Sequence, residues 1–251
     1  MEDNKIFGLR PVLEALKAGR TFEKIMIREG AGAEMFHQII DLSKQKNITL
    51  NRVPAERLNR LAKGGNHQGT VAFLASAEYS DLETVLENIR ESGNSAFLLL
   101  LDKITDVRNF GAIARTAECA GVNAIVVSAK GAAPMNVDAM KTSAGALNYV
   151  PVCRVPNLKS AIYLIKNYDI KTVATTERSN NNYYDADLSG SVAIIMGSEE
   201  SGISKSNLEM ADETVKIPLL GNIESLNVSA AAAVIAFECV RQRTVKKSAV
   251  F

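Results

Sequence analysis

Two short polar stretches near the end of the chain carry the residue types best suited to chemistry. The first, Gly197-Ser198-Glu199-Glu200-Ser201-Gly202, follows the apolar run 192–196 directly. A strand, a glycine, four residues and a second glycine imitate a phosphate-binding loop, but such a loop needs a lysine next, and Ile203 stands there. Two carboxylates would also repel a phosphate. They can instead accept hydrogen bonds from hydroxyl, amine or guanidinium groups, over glycines that let a ligand approach the backbone. The plainer alternative is a tight turn whose glutamate caps the next helix. The second stretch, Ser225-Leu226-Asn227-Val228-Ser229, offers helix caps ahead of four alanines at 230–233. Those alanines either admit close approach or simply favour helix.

A third group lies far upstream. Asp106, Arg108, Asn109 and Arg115 gather around a helix start after an apolar strand. Arg108 and Arg115 are seven residues apart and share a helix face. Helical side chains lean toward the N-terminus, so Arg115 can reach back toward the strand end. An arginine fork suits a phosphate; an exposed basic face with an Asn cap is the ordinary reading. The segments Gly8-Leu9-Arg10 and Asn66-His67-Gln68-Gly69 mark the first part of the chain. His67 is expected at the surface, and it has no visible partner for nucleophilic catalysis. No metal-binding spacing occurs, so no metal is expected. No G-x-G-x-x-G occurs either, which argues against a nicotinamide or flavin enzyme.

The elements that must position these residues follow an alternating pattern. Residues 5–76 read as a compact α/β module, with helices at 11–18, 33–46 and 54–62 and strands at 24–28, 49–53 and 69–75. Residues 77–95 read as a linker with an acidic helix starting near Asp81. From residue 96 on, strands at 97–102, 124–127, 152–155, 171–175, 192–196 and 214–218 alternate with helices at 109–120, near 137–147, at 158–167 and at 228–242. The pattern implies a mostly parallel sheet covered on both faces. A chain of 251 residues, 47% hydrophobic and 23% charged, fits one large domain or two smaller ones. The net charge of +1 does not mark a globally basic nucleic-acid binder. No membrane span and no signal peptide are expected. Three scattered cysteines fit a reducing cytoplasm, with Cys119 and Cys239 expected in the core.

Taken together, the three motifs resemble the SpoU (TrmH) family of RNA ribose 2′-O-methyltransferases, within the trefoil-knotted SPOUT superfamily. The resemblance rests on Asn109-Phe110-Gly111-Ala112-Ile113-Ala114-Arg115-Thr116-Ala117, on Met196-Gly197-Ser198-Glu199-Glu200-Ser201-Gly202-Ile203, and on Ile217-Pro218 with Ser225-Leu226-Asn227-Val228-Ser229-Ala230. It covers 96–243, while residues 5–76 are similar to the family's L30e-like substrate-binding domain. Many members have Asp-Pro where this chain has Asp106-Val107; the change loosens a turn and removes no functional group. The implied fold is α/β: a C-terminal knotted, mostly parallel SPOUT domain at 96–251 behind a smaller N-terminal L30e-like domain at 1–76.

The two-domain layout is most similar to the RlmB-like branch. That implies methylation of a guanosine ribose in large-subunit rRNA, with a tRNA substrate or a non-catalytic RNA-binding relative as the alternatives. The implied cofactor is S-adenosyl-L-methionine, held near Thr175, Gly197, Ile217, Ser225 and Leu226. The implied catalytic set is Arg115, Asn109, Glu199, Ser225 and Asn227. In it Arg115 stabilises the developing alkoxide, and Glu199 orients Arg115 by a charge-assisted bond. Arg10, His67 and Arg108 are the expected RNA contacts. The family is dimeric, so a homodimer with a site completed across its interface is expected.

Overall fold

The computed structural model describes residues 5–74, 79–223 and 225–248. They form two compact units. One holds the residues up to 74 together with Pro134–Asn136, and the other holds the rest from Tyr79 on.

The first unit runs β1 (Lys5–Phe7), α1 (Leu9–Lys17), β2 (Phe22–Arg28), α2 (Glu34–Gln45), β3 (Thr49–Val53), α3 (Ala55–Ala62) and β4 (Thr70–Leu74). Its mixed sheet has the order β1-β4-β2-β3, with only β2 and β3 parallel. Successive strand side chains point to opposite faces. Ile25 and Ile27 of β2 therefore pack with Val12, Leu16 and Ile39 on one side. Met26, between them, packs with Leu58, Val53 and Val71 on the other.

The second unit runs α4 (Leu82–Ser92), β5 (Phe97–Asp102), α5 (Val107–Cys119), β6 (Ala124–Ser128), α6 (Val137–Thr142), β7 (Val152–Val155), α7 (Leu158–Lys166), β8 (Lys171–Thr175), β9 (Val192–Gly197), α8 (Lys205–Leu208), β10 (Glu213–Val215) and α9 (Val228–Ser248), with a short 3-10 turn at Ala146–Asn148. Its six strands have the order β10-β8-β9-β5-β6-β7, and every adjacent pair is parallel. Central β5 is buried from end to end, as a strand covered on both faces should be. Leu98 and Leu100 meet Leu82, Leu86, Leu158 and Ile162 on one face. On the other side of the unit α5 packs against α6 and α9.

Four expectations change. Of the linker expected at 77–95, residues 77 and 78 lie outside the described residues and 79–95 belong to the second unit: Ser80 bridges to Cys153, Asp81 caps α4 by accepting from Thr84 N (2.9 Å), and Leu82 and Leu86 enter the core. Only the outer face of that helix is acidic, while Leu82, Val85, Leu86 and Ile89 make its inner stripe. The last strand is shorter than 214–218, because the loop 181–183 takes over pairing at Lys216 (Lys216 N to Asn181 O, 2.8 Å; Tyr183 N to Lys216 O, 2.9 Å). The last helix extends to Ser248. Cys119 is exposed, whereas Cys153 and Cys239 are buried. Among the described residues no helix is long and apolar enough to cross a membrane.

Two predictions follow from this packing. Gly111 sits mid-helix in α5, where an added Cβ would lie 2.6 Å from Thr142 Cβ and 3.0 Å from Ser143 N of the α6 segment. Gly111→Ala should therefore destabilise by about 1–3 kcal/mol despite alanine's better helix propensity, read by urea unfolding; an unchanged midpoint refutes it. Burial pushes the thiols of Cys153 and Cys239 up to about 12. Native protein at pH ~8 should then react with a disulfide reagent at Cys119 alone, since only the thiolate attacks. Rapid labelling of Cys153 or Cys239 without denaturant would contradict this.

Candidate active site

A cavity of about 960 Å³ opens across the carboxyl ends of the strands in the second unit. Thr175 and Thr176 line it from the end of β8, Met196 and Gly197 from β9, Lys103 from beyond β5 and Ile217 from beyond β10. Ser225, Leu226, Val228 and Ala231 add the entry to α9. In open parallel sheets ligands occupy this edge. The walls combine apolar side chains (Ile203, Ile217, Leu219, Leu226) with the acids Glu177, Glu199, Glu200 and Glu209. Thr175 Oγ1 is buried without a hydrogen-bond partner among the described residues. Leaving such a group unsatisfied costs about 1–3 kcal/mol, which a ligand can repair. Thr175, Gly197, Ile217, Ser225 and Leu226, the five expected cofactor contacts, thus share one cavity.

The loop after β9 is held from below and from the side. A Cβ on Gly197 would lie 2.1 Å from Gly202 C and 2.2 Å from Ile203 N, so only glycine allows the returning backbone to pass there. Gly202 N donates to Ser198 O (2.8 Å), closing the turn. Asp102, at the end of β5 and only 4% exposed, accepts from Ser204 N (2.8 Å) and Asn207 Nδ2 (2.9 Å). This buried carboxylate ties the loop to the central strand. Sequence reasoning missed it, although a lone acid closing a strand of one phenylalanine and four leucines was the available signal.

At the rim Glu199 gathers three partners. Its Oε1 accepts from Asn109 Nδ2 (3.0 Å), from Asn227 Nδ2 and from Val228 N (3.2 Å). Asn227 Nδ2 also donates to Asn109 Oδ1 (3.0 Å), and Asn227 Oδ1 accepts from Ser229 N (2.9 Å). Asp106 caps α5 by accepting from Arg108 N and Asn109 N, both at 2.8 Å. Three segments distant in sequence therefore meet at one carboxylate.

Arg115 is not among its partners. The expected Glu199–Arg115 bond is replaced by the Glu199–Asn109–Asn227 cluster, for a geometric reason. Six residues along a helix from Asn109 is about 9 Å of rise and about a third of a turn away in azimuth. Arg115 is exposed, does not line the cavity and has no polar partner among the described residues. Arg108 and Arg10 are exposed at the first turns of α5 and α1. His67 is only half-exposed: Nδ1 accepts from Gly69 N (2.9 Å) and Nε2 pairs with Asn59 Oδ1 (2.8 Å), so both ring nitrogens are spent inside the first unit. Its role there is to hold a turn. Among the described residues no group of metal-ligating side chains comes together.

A parallel sheet covered on both faces, with a partly apolar cavity lined by charges of both signs across its strand ends, is the architecture of a protein that holds a small ligand there. The family model of the SpoU rRNA methylases matches residues 96–237, and that for RNA 2′-O ribose methyltransferase substrate binding matches 5–80. A Staphylococcus aureus protein assigned to the TrmH family of tRNA/rRNA methyltransferases is 33% identical over 97% of this chain and 98% of its own. The crystal structure of the SpoU methyltransferase AviRb from Streptomyces viridochromogenes, in complex with AdoMet, aligns with a TM-score of 0.62. The match is 23% identical and covers 96% of this chain and 90% of that one. A TrmH/SpoU tRNA modifying enzyme from A. aeolicus aligns with a TM-score of 0.55 at 29% identity, covering 66% of this chain and 86% of that one. The chain belongs to the SpoU (TrmH) family of RNA 2′-O-ribose methyltransferases.

The cluster at Glu199 makes a prediction of its own. Glu199→Ala removes the acceptor for Val228 N at the start of α9 and should cost about 1 kcal/mol. It should also raise amide exchange at 225–229 selectively. Exchange in those residues equal to the wild type would remove Glu199 from its organising position.

Proposed function

We propose that this chain transfers the methyl group of S-adenosyl-L-methionine to a ribose 2′-OH of RNA, at a guanosine of large-subunit rRNA. The observation that carries the reading is the convergence of Thr175, Gly197, Ile217, Ser225 and Leu226 on one cavity beside the Glu199 cluster. The lining fits the donor. Apolar side chains can take up the adenine, the unpartnered Thr175 hydroxyl offers a hydrogen bond, and Glu199 and Glu200 on the loop after β9 favour a cationic sulfonium over a triphosphate there. When bound, the donor supplies an electrophilic methyl.

The remaining work falls to side chains. A 2′-OH is a poor nucleophile until it is aligned and its developing negative charge is stabilised. Arginine is never deprotonated in proteins, so Arg115 stabilises the alkoxide and the neighbouring phosphate. The proton leaves to solvent or to a phosphate oxygen as the O–CH3 bond forms and the S–CH3 bond breaks. Asn109 and Asn227 hold the loops through Glu199 rather than meeting the substrate with free amides. Ser225 lies at the cavity wall.

Arg115 lies outside its own chain's cavity lining and carries no polar partner among the described residues. That favours a homodimer in which one protomer's Arg115 serves the other's cavity. Phe237 on α9, 49% exposed, and Val137 at the start of α6, 52% exposed, offer apolar surface for such an interface. Arg10 and Arg108 are further exposed cations available to RNA phosphates. The trefoil knot, the L30e-like character of the first unit and a cytoplasmic location belong to the same reading. The rRNA assignment is favoured by the two-unit layout: the A. aeolicus tRNA modifying enzyme is matched by 66% of this chain, a share close to that of the second unit alone.

Isothermal titration should show S-adenosylmethionine binding to the wild type and, within about twofold, to Arg115→Ala. Methyl transfer by that variant should fall by about 10²–10³. Full transfer by Arg115→Ala excludes the assigned role. Mapping of 2′-O-methyl groups in a deletion strain should show loss at one guanosine of large-subunit rRNA; loss confined to tRNA overturns the rRNA assignment.

A further inference from the structure

Three basic side chains line the cavity, and two of them have an acid within 4 Å, in exposed pairs that bind weakly. Arg178 Nε lies 3.8 Å from Glu177 Oε1, and Lys205 Nζ lies 3.8 Å from Glu209 Oε1. Lys103 is the third, and its exposed ammonium has no acid or other acceptor among the described residues.

Its backbone is also unusual. Lys103 has φ +58°, the left-handed region where a side chain with a Cβ is strained and glycine is not. The residues on either side, Asp102 and Ile104, are each 4% exposed. The chain thus leaves β5 through one strained, outward-facing position, and a long cation stands where a glycine would fit without strain. Strain at a ligand-facing position points toward use. Direction adds a further constraint. A Cβ on Gly131, in the loop after β6, would lie 3.8 Å from Lys103 Cγ, so the stem of Lys103 runs toward that loop. It is thereby on the β6 side of β5, whereas Thr175 and Gly197 end strands on the other side and Ile217 follows β10 there.

We propose that Lys103 is a positioning residue for RNA, holding a backbone phosphate beside the ribose that enters the cavity. The assignment rests on the methyltransferase reading above and adds a contact that reading lacks: a cation of the chain's own cavity with no acid beside it, for the anionic substrate. A carboxylate of the donor is the competing anion, and it would require the lysine to turn back across β5.

The test uses the full-length protein, tritiated S-adenosylmethionine and two RNA pools, rRNA and tRNA, purified from a strain lacking the protein. Lys103→Met should raise KM for RNA by about three- to tenfold with kcat changed less, and lower the salt dependence by about one phosphate contact. Lys103→Arg should restore most of the loss. Lys103→Gly should show the same KM defect yet melt at or above the wild-type temperature, because the backbone strain is relieved. Donor affinity by titration should stay within twofold in all three. Unchanged RNA KM and salt slope in Lys103→Met overturn the assignment, as does a loss of donor affinity in place of RNA affinity. A wild type that methylates neither pool overturns the functional reading and the assignment with it, whereas an active wild type beside an unaffected Lys103→Met overturns the assignment alone.

Discussion

The loops at the cavity rim in the second unit meet at one carboxylate. Glu199 accepts from a side chain at the start of α5, from another ahead of α9, and from the first backbone N–H of α9 itself. Hydrogen bonds to a charged acceptor are stronger than neutral ones. A negative group at a helix N-terminus also complements the helix dipole. The same interaction therefore caps α9, fixes Asn109 and Asn227, and sets where Ser225 and Leu226 enter the cavity wall. A glutamate in a glycine-bounded loop can do this because the loop is not free to drift. Gly197 lets the backbone double back in contact with Gly202 and Ile203, and Asp102 holds Ser204 and Asn207 from inside the sheet.

The division between rigid and adaptable parts follows from packing. Strands β5 and β9 and their neighbours are buried on both faces, and their register is dictated by two apolar layers. At their carboxyl ends the pairing stops, the side chains turn polar, and backbone groups become available to a ligand. The unsatisfied Thr175 hydroxyl and the left-handed Lys103 both lie at this edge. Such costs are tolerated where the surrounding core over-determines the backbone. The first unit shows the opposite economy: the one histidine of its loop at 66–69 is fully used in holding that turn.

Much of the fold was legible along the chain. Period-two alternation placed β2 and β3, a run of leucines placed β5 as a strand covered on both faces, and small polar loops after strands located the cavity edge. The acidic helix at 82–92 was legible as a helix but not as part of the core, because its buried stripe has meaning only once β7 and α7 lie against it. Cys119 could not be told from Cys239 by helical spacing. Exposure depends on which helix face is covered, and a single thiol says nothing of that.

The site divides along the same line. The sequence by itself determined which residue types stand at the strand ends and that three separated motifs belong together. Those are matters of local chemistry and order. It did not determine who bonds to whom. Asn109 and Arg115 lie in one motif, yet only Asn109 meets Glu199, because helical rotation carries Arg115 about a third of a turn aside. Asp102 and Lys103 are neighbours in sequence, yet one is buried as an anchor and the other faces the cavity as an unpaired cation. Only the tertiary structure decided these pairings, since a hydrogen bond or an ion pair depends on distance and direction in space, which sequence separation does not encode.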